Sequence, residues 1–213
     1  MFKLLLSSFL FFTLAAAAQD RPGLFFREDW KETPPAKPVT LDHLANSNLT
    51  FTLYGPGKEG IKKSNHDKPA DDPFYIWTGE CVGNCAIALK HKTSYVDLRG
   101  QSKLKWRSKQ AGFRGARIIL KLANGTWLVS DAYDGPSLDW REREFNIQDI
   151  RWRRLDIDKI IEGAWVDNPD LSRVDEIGWT DLMTGGGSIS CTRVDWIEIY
   201  GKPVPRGQSP SGN

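Results

Sequence analysis

Apolar and polar side chains alternate in one short run after another along this chain, and that period of two most restricts what it can fold into. In Lys103-Leu104-Lys105-Trp106-Arg107 an extended backbone puts the three cations on one side and Leu104 and Trp106 on the other. Leu49-Thr50-Phe51-Thr52-Leu53-Tyr54 gathers Leu49, Phe51 and Leu53 on one face in the same way. The pattern returns in Val174 to Trp179 and again in Arg193-Val194-Asp195-Trp196-Ile197-Glu198-Ile199-Tyr200-Gly201. A helix would need apolar residues three and four apart, and no sustained stretch has them. Each run reads as a strand with one face in a core and one in solvent.

About ten such runs follow each other at short intervals, including Phe74 to Trp77, Ala86 to Lys90, Tyr95 to Leu98, Arg117 to Leu122, Thr126 to Ser130, Arg143 to Asn146 and Trp152 to Ile157. Asn124-Gly125, between two of them, predicts a tight type I′ hairpin, because both residues tolerate positive φ. The expected fold is all-β: a single-domain jelly-roll β-sandwich of about ten antiparallel strands. Residues 76–201 form the sandwich in this reading. Residues 19–75, with the proline-rich Thr33 to Pro38 and a long loop from Gly55 to Pro73, form an N-terminal segment docked on it. Residues 202–213 read as a disordered tail.

The first residues set the compartment. Lys3 precedes an apolar run from Leu4 to Leu14 and a small-residue stretch at Ala15 to Ala18. Residues 1–18 therefore read as a secretory signal peptide, and the protein as secreted or periplasmic. The apolar run is shorter than the roughly 20 residues of a membrane span, so no integral membrane association is expected. A formal net charge of +2 gives no electrostatic reason for a nucleic-acid partner. A monomer is expected. Cys81, Cys85 and Cys191 allow one bridge and one leftover thiol in an oxidising space, Cys81–Cys85 being favoured over a pairing with Cys191. Their spacing lacks a fourth ligand for zinc.

The runs Tyr95 to Leu98, Leu104 to Trp106, Arg117 to Leu120, Gly125 to Trp127, Trp152 to Ile157, Ile177-Gly178 and Asp195 to Ile199 follow a recognisable order. Over about residues 90–201 this order resembles the galactose-binding-like jelly rolls of carbohydrate-binding modules. The ending Val194-Asp195-x-Ile197-x-Ile199-x-Gly201 is similar to the closing strand of such modules. The resemblance implies a polysaccharide or oligosaccharide partner and no cofactor. It also leaves open a structural calcium, which related jelly rolls often hold, with Glu28, Asp29, Asp195 and Glu198 as conceivable oxygen ligands.

Two groups of residues suit such a role, and a third bears on catalysis. Lys103, Lys105, Arg107, Lys109, Arg114 and Arg117 form a basic stretch with no acid among them, able to grip an anionic glycan or simply to solvate an outer face. Tyr133, Trp140, Trp165 and Trp179 lie in or beside segments rich in Asp, Gly and Pro, where an aromatic ring can stack on a sugar while neighbours read its hydroxyls. Packing under loops is their alternative role. Trp106, Trp127, Trp152 and Trp196 sit inside strands and are expected in the core. The carboxylates from Asp131 to Glu144 and from Asp175 to Asp181 show no spacing that marks a glycosidase pair. The candidate ligand-binding set is Arg107, Arg114, Arg117, Tyr133, Trp140, Trp165, Trp179 and Asp181. The function expected is non-catalytic carbohydrate binding. The alternatives are a polysaccharide-active hydrolase or lyase on the same scaffold, or a structural or protein-interaction domain.

Overall fold

The computed structural model describes residues 21–65, 73–112, 115–180 and 191–207. Their strands form two sheets of six and nine members, packed as a jelly-roll sandwich. In the smaller sheet β10 (Arg141–Asn146) lies beside β7 (Lys103–Ala111), then β14 (Cys191–Tyr200), β4 (Tyr75–Trp77) and β3 (Lys62–Ser64), and β1 (Leu24–Glu28) also pairs with β14. The larger sheet runs β12 (Ile161–Val166), β11 (Trp152–Asp156), β9 (Trp127–Asp134), β8 (Ala116–Leu122), β13 (Val174–Thr180), β5 (Ala86–His91) and β2 (Leu49–Tyr54). At its side β6 (Ser94–Asp97) meets both β13 and β15 (Lys202–Pro205). Every paired strand is antiparallel.

The alternation read in the sequence is the alternation of burial. Along β7 the odd positions 103 to 111 are half-exposed and the even positions buried. Leu104 and Trp106 face the inter-sheet core with Val194, Ile197 and Ile199 of β14. Ile118, Leu120, Leu128, Ile177, Trp179, Ile87 and Leu89 close that core from the larger sheet. Trp106 donates its indole N–H to Asp134, a fully buried carboxylate also held by Ser108 and Arg141. A buried charge needs such partners, and here they tie β9 to β7 and β10.

A second apolar cluster lies on the outside of the larger sheet. Ala86, Ala88, Ile119, Trp127, Val129, Leu155 and Ile160 pack there against Tyr54 and Ile157. Tyr54 on β2 and Trp127 on β9 stand four strand positions apart, about 19 Å on a flat sheet. Their ring centroids nevertheless meet at 4.9 Å. The sheet curls, and both rings pack with the small residues Ala86 and Ala88. The turn between β11 and β12 drops Ile160 into the trough at φ 54°, an uncommon conformation for a β-branched residue. Asn84 donates to the Ile160 carbonyl, and Gly55, at φ 85°, leaves room that a side chain would take from Ile160.

The expected N-terminal docking segment is instead part of both sheets, because its alternating runs pair with distant strands: β1 with β14 and β2 with β5. Residues 202–205, expected in a disordered tail, form β15 against β6. The hairpin at Asn124-Gly125 forms, but only Gly125 takes positive φ. The turn is wider than type I′, and the Asn124 side chain caps the Thr126 N–H.

Glu28 fixes the end of β1. Its buried carboxylate accepts the backbone N–H groups of Trp30, Ala45 and Asn46. Burial pushes its carboxyl up, against the three donors. Glu28→Ala should leave these N–H groups without acceptors and cost about 3 kcal/mol in denaturant unfolding, and Glu28→Gln should cost less. An unchanged midpoint for the alanine variant would rule out this anchoring.

Candidate functional site

The outward side chains of the smaller sheet form one continuous strip. Strand register sets Lys103, Lys105, Arg107 and Lys109 of β7 beside Tyr200, Glu198, Trp196 and Arg193 of β14. On the other edge Asn146, Glu144 and Glu142 of β10 stand beside Lys103, Lys105 and Arg107. Trp77 of β4 is opposite Arg193, and Lys62 of β3 is opposite Trp77. Lys103 to Lys109 alone spans about 20 Å of strand.

A bulge between Val194 and Trp196 shapes the middle of the strip. The extra residue, Asp195, and the next, Trp196, both leave the core while Val194 and Ile197 stay in it. Asp195 accepts from Arg107 at 2.7 Å, and Arg27 lies over the Trp196 ring at 4.4 Å while binding Glu198 at 2.6 Å. Trp196 is buried, as the sequence leads one to expect, but beneath Arg27 and not between the sheets.

The cations expected to form a bare basic stripe are mostly paired. Lys103 and Lys105 both reach Glu144, at 3.2 and 3.0 Å. The Lys105 hydrogen bond, ahead of that from Lys103, holds the Glu144 carboxyl below its usual range. Burial raises the Asp195 carboxyl although Arg107 opposes the shift. The Tyr200 hydroxyl donates to Glu198 at 2.8 Å, which raises its pKa. Half-exposed pairs of this kind add little stability, so their main effect is to hold donors and acceptors in place.

Between the pairs lie partly open rings. Trp140, in the connection from β9 to β10, sits 5.3 Å from the Tyr75 ring and 5.3 Å from the Arg107 guanidinium. Tyr200 lies under Lys103 at 4.9 Å, and Trp77 under Lys62 at 5.4 Å. Trp77, Trp140 and Tyr200 are all half-buried. Open clefts mark both ends of the strip. One of about 360 Å³ is lined by Lys103, Glu144, Asn146 and Tyr200, and one of about 510 Å³ by Lys109, Arg193, Pro136 and Leu138.

Of the residues singled out in the sequence, Arg107 and Trp140 meet on this strip. Arg117 and Tyr133 pair instead on the outside of the larger sheet, where Arg117 donates to the Ser130 carbonyl and binds Glu162 at 2.9 Å. Trp165 lies on β12, with Arg151 and Arg153 over its ring. Trp179 is no loop platform: it is 1% exposed in the middle of the core, stacked edge-on against Trp30. Arg114 and Asp181 fall outside the described residues. The strip also recruits Trp77, Tyr200, Glu144 and Glu198, which lie outside the candidate ligand-binding set and share its face through their alternation within strands.

The four carboxylates considered for calcium are otherwise engaged. Glu28 holds backbone N–H groups, Asp29 and Glu198 hold Arg27, and Asp195 holds Arg107. Among the described residues no three His, Cys, Asp or Glu side chains converge as metal ligands. Cys81 and Cys85 are buried with their sulfurs 2.8 Å apart, a thiol contact longer than the roughly 2.05 Å of a disulfide bond.

No family model and no curated protein matches the chain. Among solved structures, it is similar to the family 11 carbohydrate-binding module of a cellulosomal cellulase of Clostridium thermocellum, at 16% identity and TM-score 0.46 over 81% of this chain and 97% of that one. A family 29 carbohydrate-binding module from Piromyces equi gives 15% identity and TM-score 0.45 over 83% and 91%. An exo-beta-agarase gives 11% and 0.43, over 82% of this chain and 26% of the enzyme. At these values the likeness is one of strand arrangement.

The pairing of Arg107 with Asp195 should couple the two in stability. A double-mutant cycle with Arg107→Ala and Asp195→Ala should give about 1 kcal/mol of coupling in urea unfolding, and zero coupling would mean that the pair is incidental.

Proposed function

We propose that the protein is an exported, non-catalytic carbohydrate-binding domain that lays a polysaccharide along the outer strip of its smaller sheet. The observation that carries this reading is the row of half-buried rings, Trp77, Trp140 and Tyr200, set among ion-paired side chains. A sugar ring offers C–H groups on its faces and hydroxyls at its edge. Aromatic rings meet the first, and carboxylates, amides and cations held in place meet the second. Because Lys103, Lys105, Arg107 and Arg27 already have carboxylate partners, the strip favours an uncharged polysaccharide over an anionic one. Glu144, Asp195 and Glu198 are each bound to a cation, which supports binding over a proton-transferring carboxylate pair.

Titration calorimetry against a panel of neutral β-linked polysaccharides tests the proposal. At least one should bind, and Trp140→Ala and Tyr200→Ala should each weaken it on the order of tenfold. Release of new reducing ends would favour the hydrolase alternative. No binding across the panel, or full affinity in both variants, would refute the assignment to this strip.

The pH dependence has a definite sign. Burial raises the Asp195 carboxyl, so it takes up a proton at a higher pH than an ordinary carboxylate. Its ionisation is a cost to the folded state as pH rises through that value, while the bridge to Arg107 exists only above it. Polysaccharide affinity should therefore fall as the medium is acidified, and Asp195→Asn should already be weak and lose this dependence. Parallel profiles for the two proteins would disprove the link.

We also propose that in an oxidising compartment Cys81 and Cys85 close a bond, two thiols giving up two protons and two electrons to a disulfide oxidant, while Cys191 stays a thiol. Intact mass before and after reduction should differ by two hydrogens. Alkylation of the denatured, unreduced chain should label Cys191 alone.

A further inference from the structure

The strongest feature outside the strip is a cleft of about 370 Å³ at the far edge of the larger sheet, lined by Gln148, Arg151, Trp165, Asp167, Asn168 and Pro169 among others. Two connections build it: the 3-10 turn Ile147–Asp149 leading into β11, and the segment leaving β12. Register places Trp165 across from Arg153, and the Arg151 and Arg153 guanidinium carbons lie 4.1 and 4.2 Å from the Trp165 ring centroid. Trp165 is still 40% exposed as a residue even with two cations against its ring.

The two arginines differ in their partners. Arg153 approaches Glu162 at 3.8 Å, and Glu162 is held more closely by Arg117 at 2.9 Å. The Arg151 backbone N–H binds Asp131, but among the described residues its guanidinium has no carboxylate partner. A guanidinium held over an indole and, among the described residues, bonded to no carboxylate can take an anion brought from outside, with Asp167 as the one acid in the cleft lining. Its fork of N–H donors matches the two oxygens of a carboxylate. The indole suits the apolar face of a sugar, and Gln148 and Asn168 add amide donors and acceptors for hydroxyls.

We propose that this cleft is a second, separate site that takes an acidic sugar, a uronate whose ring rests on Trp165 and whose carboxylate binds Arg151. It differs from the strip in both place and ligand charge. The two sites together would let one domain hold a neutral polymer and an acidic residue at once.

The test uses the full chain and two probes, tetragalacturonate and its carboxyl-reduced counterpart, followed by calorimetry and tryptophan fluorescence. The acidic tetramer should bind more tightly than the reduced one, and more weakly as salt rises. Arg151→Gln should weaken the acidic probe on the order of tenfold and narrow the gap between the two. Trp165→Ala should abolish the fluorescence change, and Trp140→Ala should leave acidic binding intact. Both substituted side chains are exposed, so the variants should fold, which circular dichroism checks. Equal binding of the two probes, no binding of either, or full acidic affinity in Arg151→Gln would overturn the assignment. Loss of acidic binding in Trp140→Ala would place the ligand on the strip instead. Failure of neutral polysaccharides to bind would count against the strip alone.

Discussion

Strand β14 is the element on which the rest of this sandwich depends. One of its edges is paired with β7 along the whole strand, and its other edge is shared by β4 near the start and β1 near the end. Segments from the beginning and the middle of the chain are thereby hydrogen-bonded to a backbone near its end. These contacts are all distant in sequence, so their loop-closure entropy is met together and the register is fixed collectively. The bulge at Asp195 is the one departure from regular pairing with β7. It turns Asp195 and Trp196 outward side by side, and the chemistry of the strip begins there.

The two faces of the smaller sheet divide labour in a simple way. Inward, Leu104, Trp106, Val194, Ile197 and Ile199 are excluded from water and hold the layers together. Outward, charge is abundant but compensated, and the rings that lie under Lys103, Lys62 and Arg27 are kept from collapsing into a dry patch. A surface of that kind exposes apolar area without joining it into one contiguous apolar patch.

Much of this was readable from residue order. Leu49 to Tyr54 is β2 to the residue, and the alternation through Lys103 to Arg107 assigns both faces of β7 correctly. The failures have physical causes. Trp179 looks like a loop residue because Asp175, Glu176, Gly178 and Thr180 surround it. Yet it closes an alternating run that is β13, and from Glu176 to Thr180 that strand is buried on both faces, so its polar and small neighbours do not mark a loop. Trp196 breaks phase because a bulge adds one residue, and no local composition announces it. The basic stretch reads as unpaired because its partners Glu144, Asp195 and Glu198 come from strands far along the chain. Charge compensation across strands is visible only once register is known.

The filled trough on the larger sheet changes how that sheet tolerates drift. With Tyr54, Trp127 and Ile160 lying over it, the molecule is locally three layers thick. A side chain grown at Gly178 would run into the Ile87 carbonyl, and Ala88 is fully enclosed. Exchanges there, which on an ordinary two-layer sandwich would be cosmetic, fall under the same steric law as its deepest interior. Innovation in recognition is therefore steered toward the smaller sheet and the rim, where a new residue meets water first.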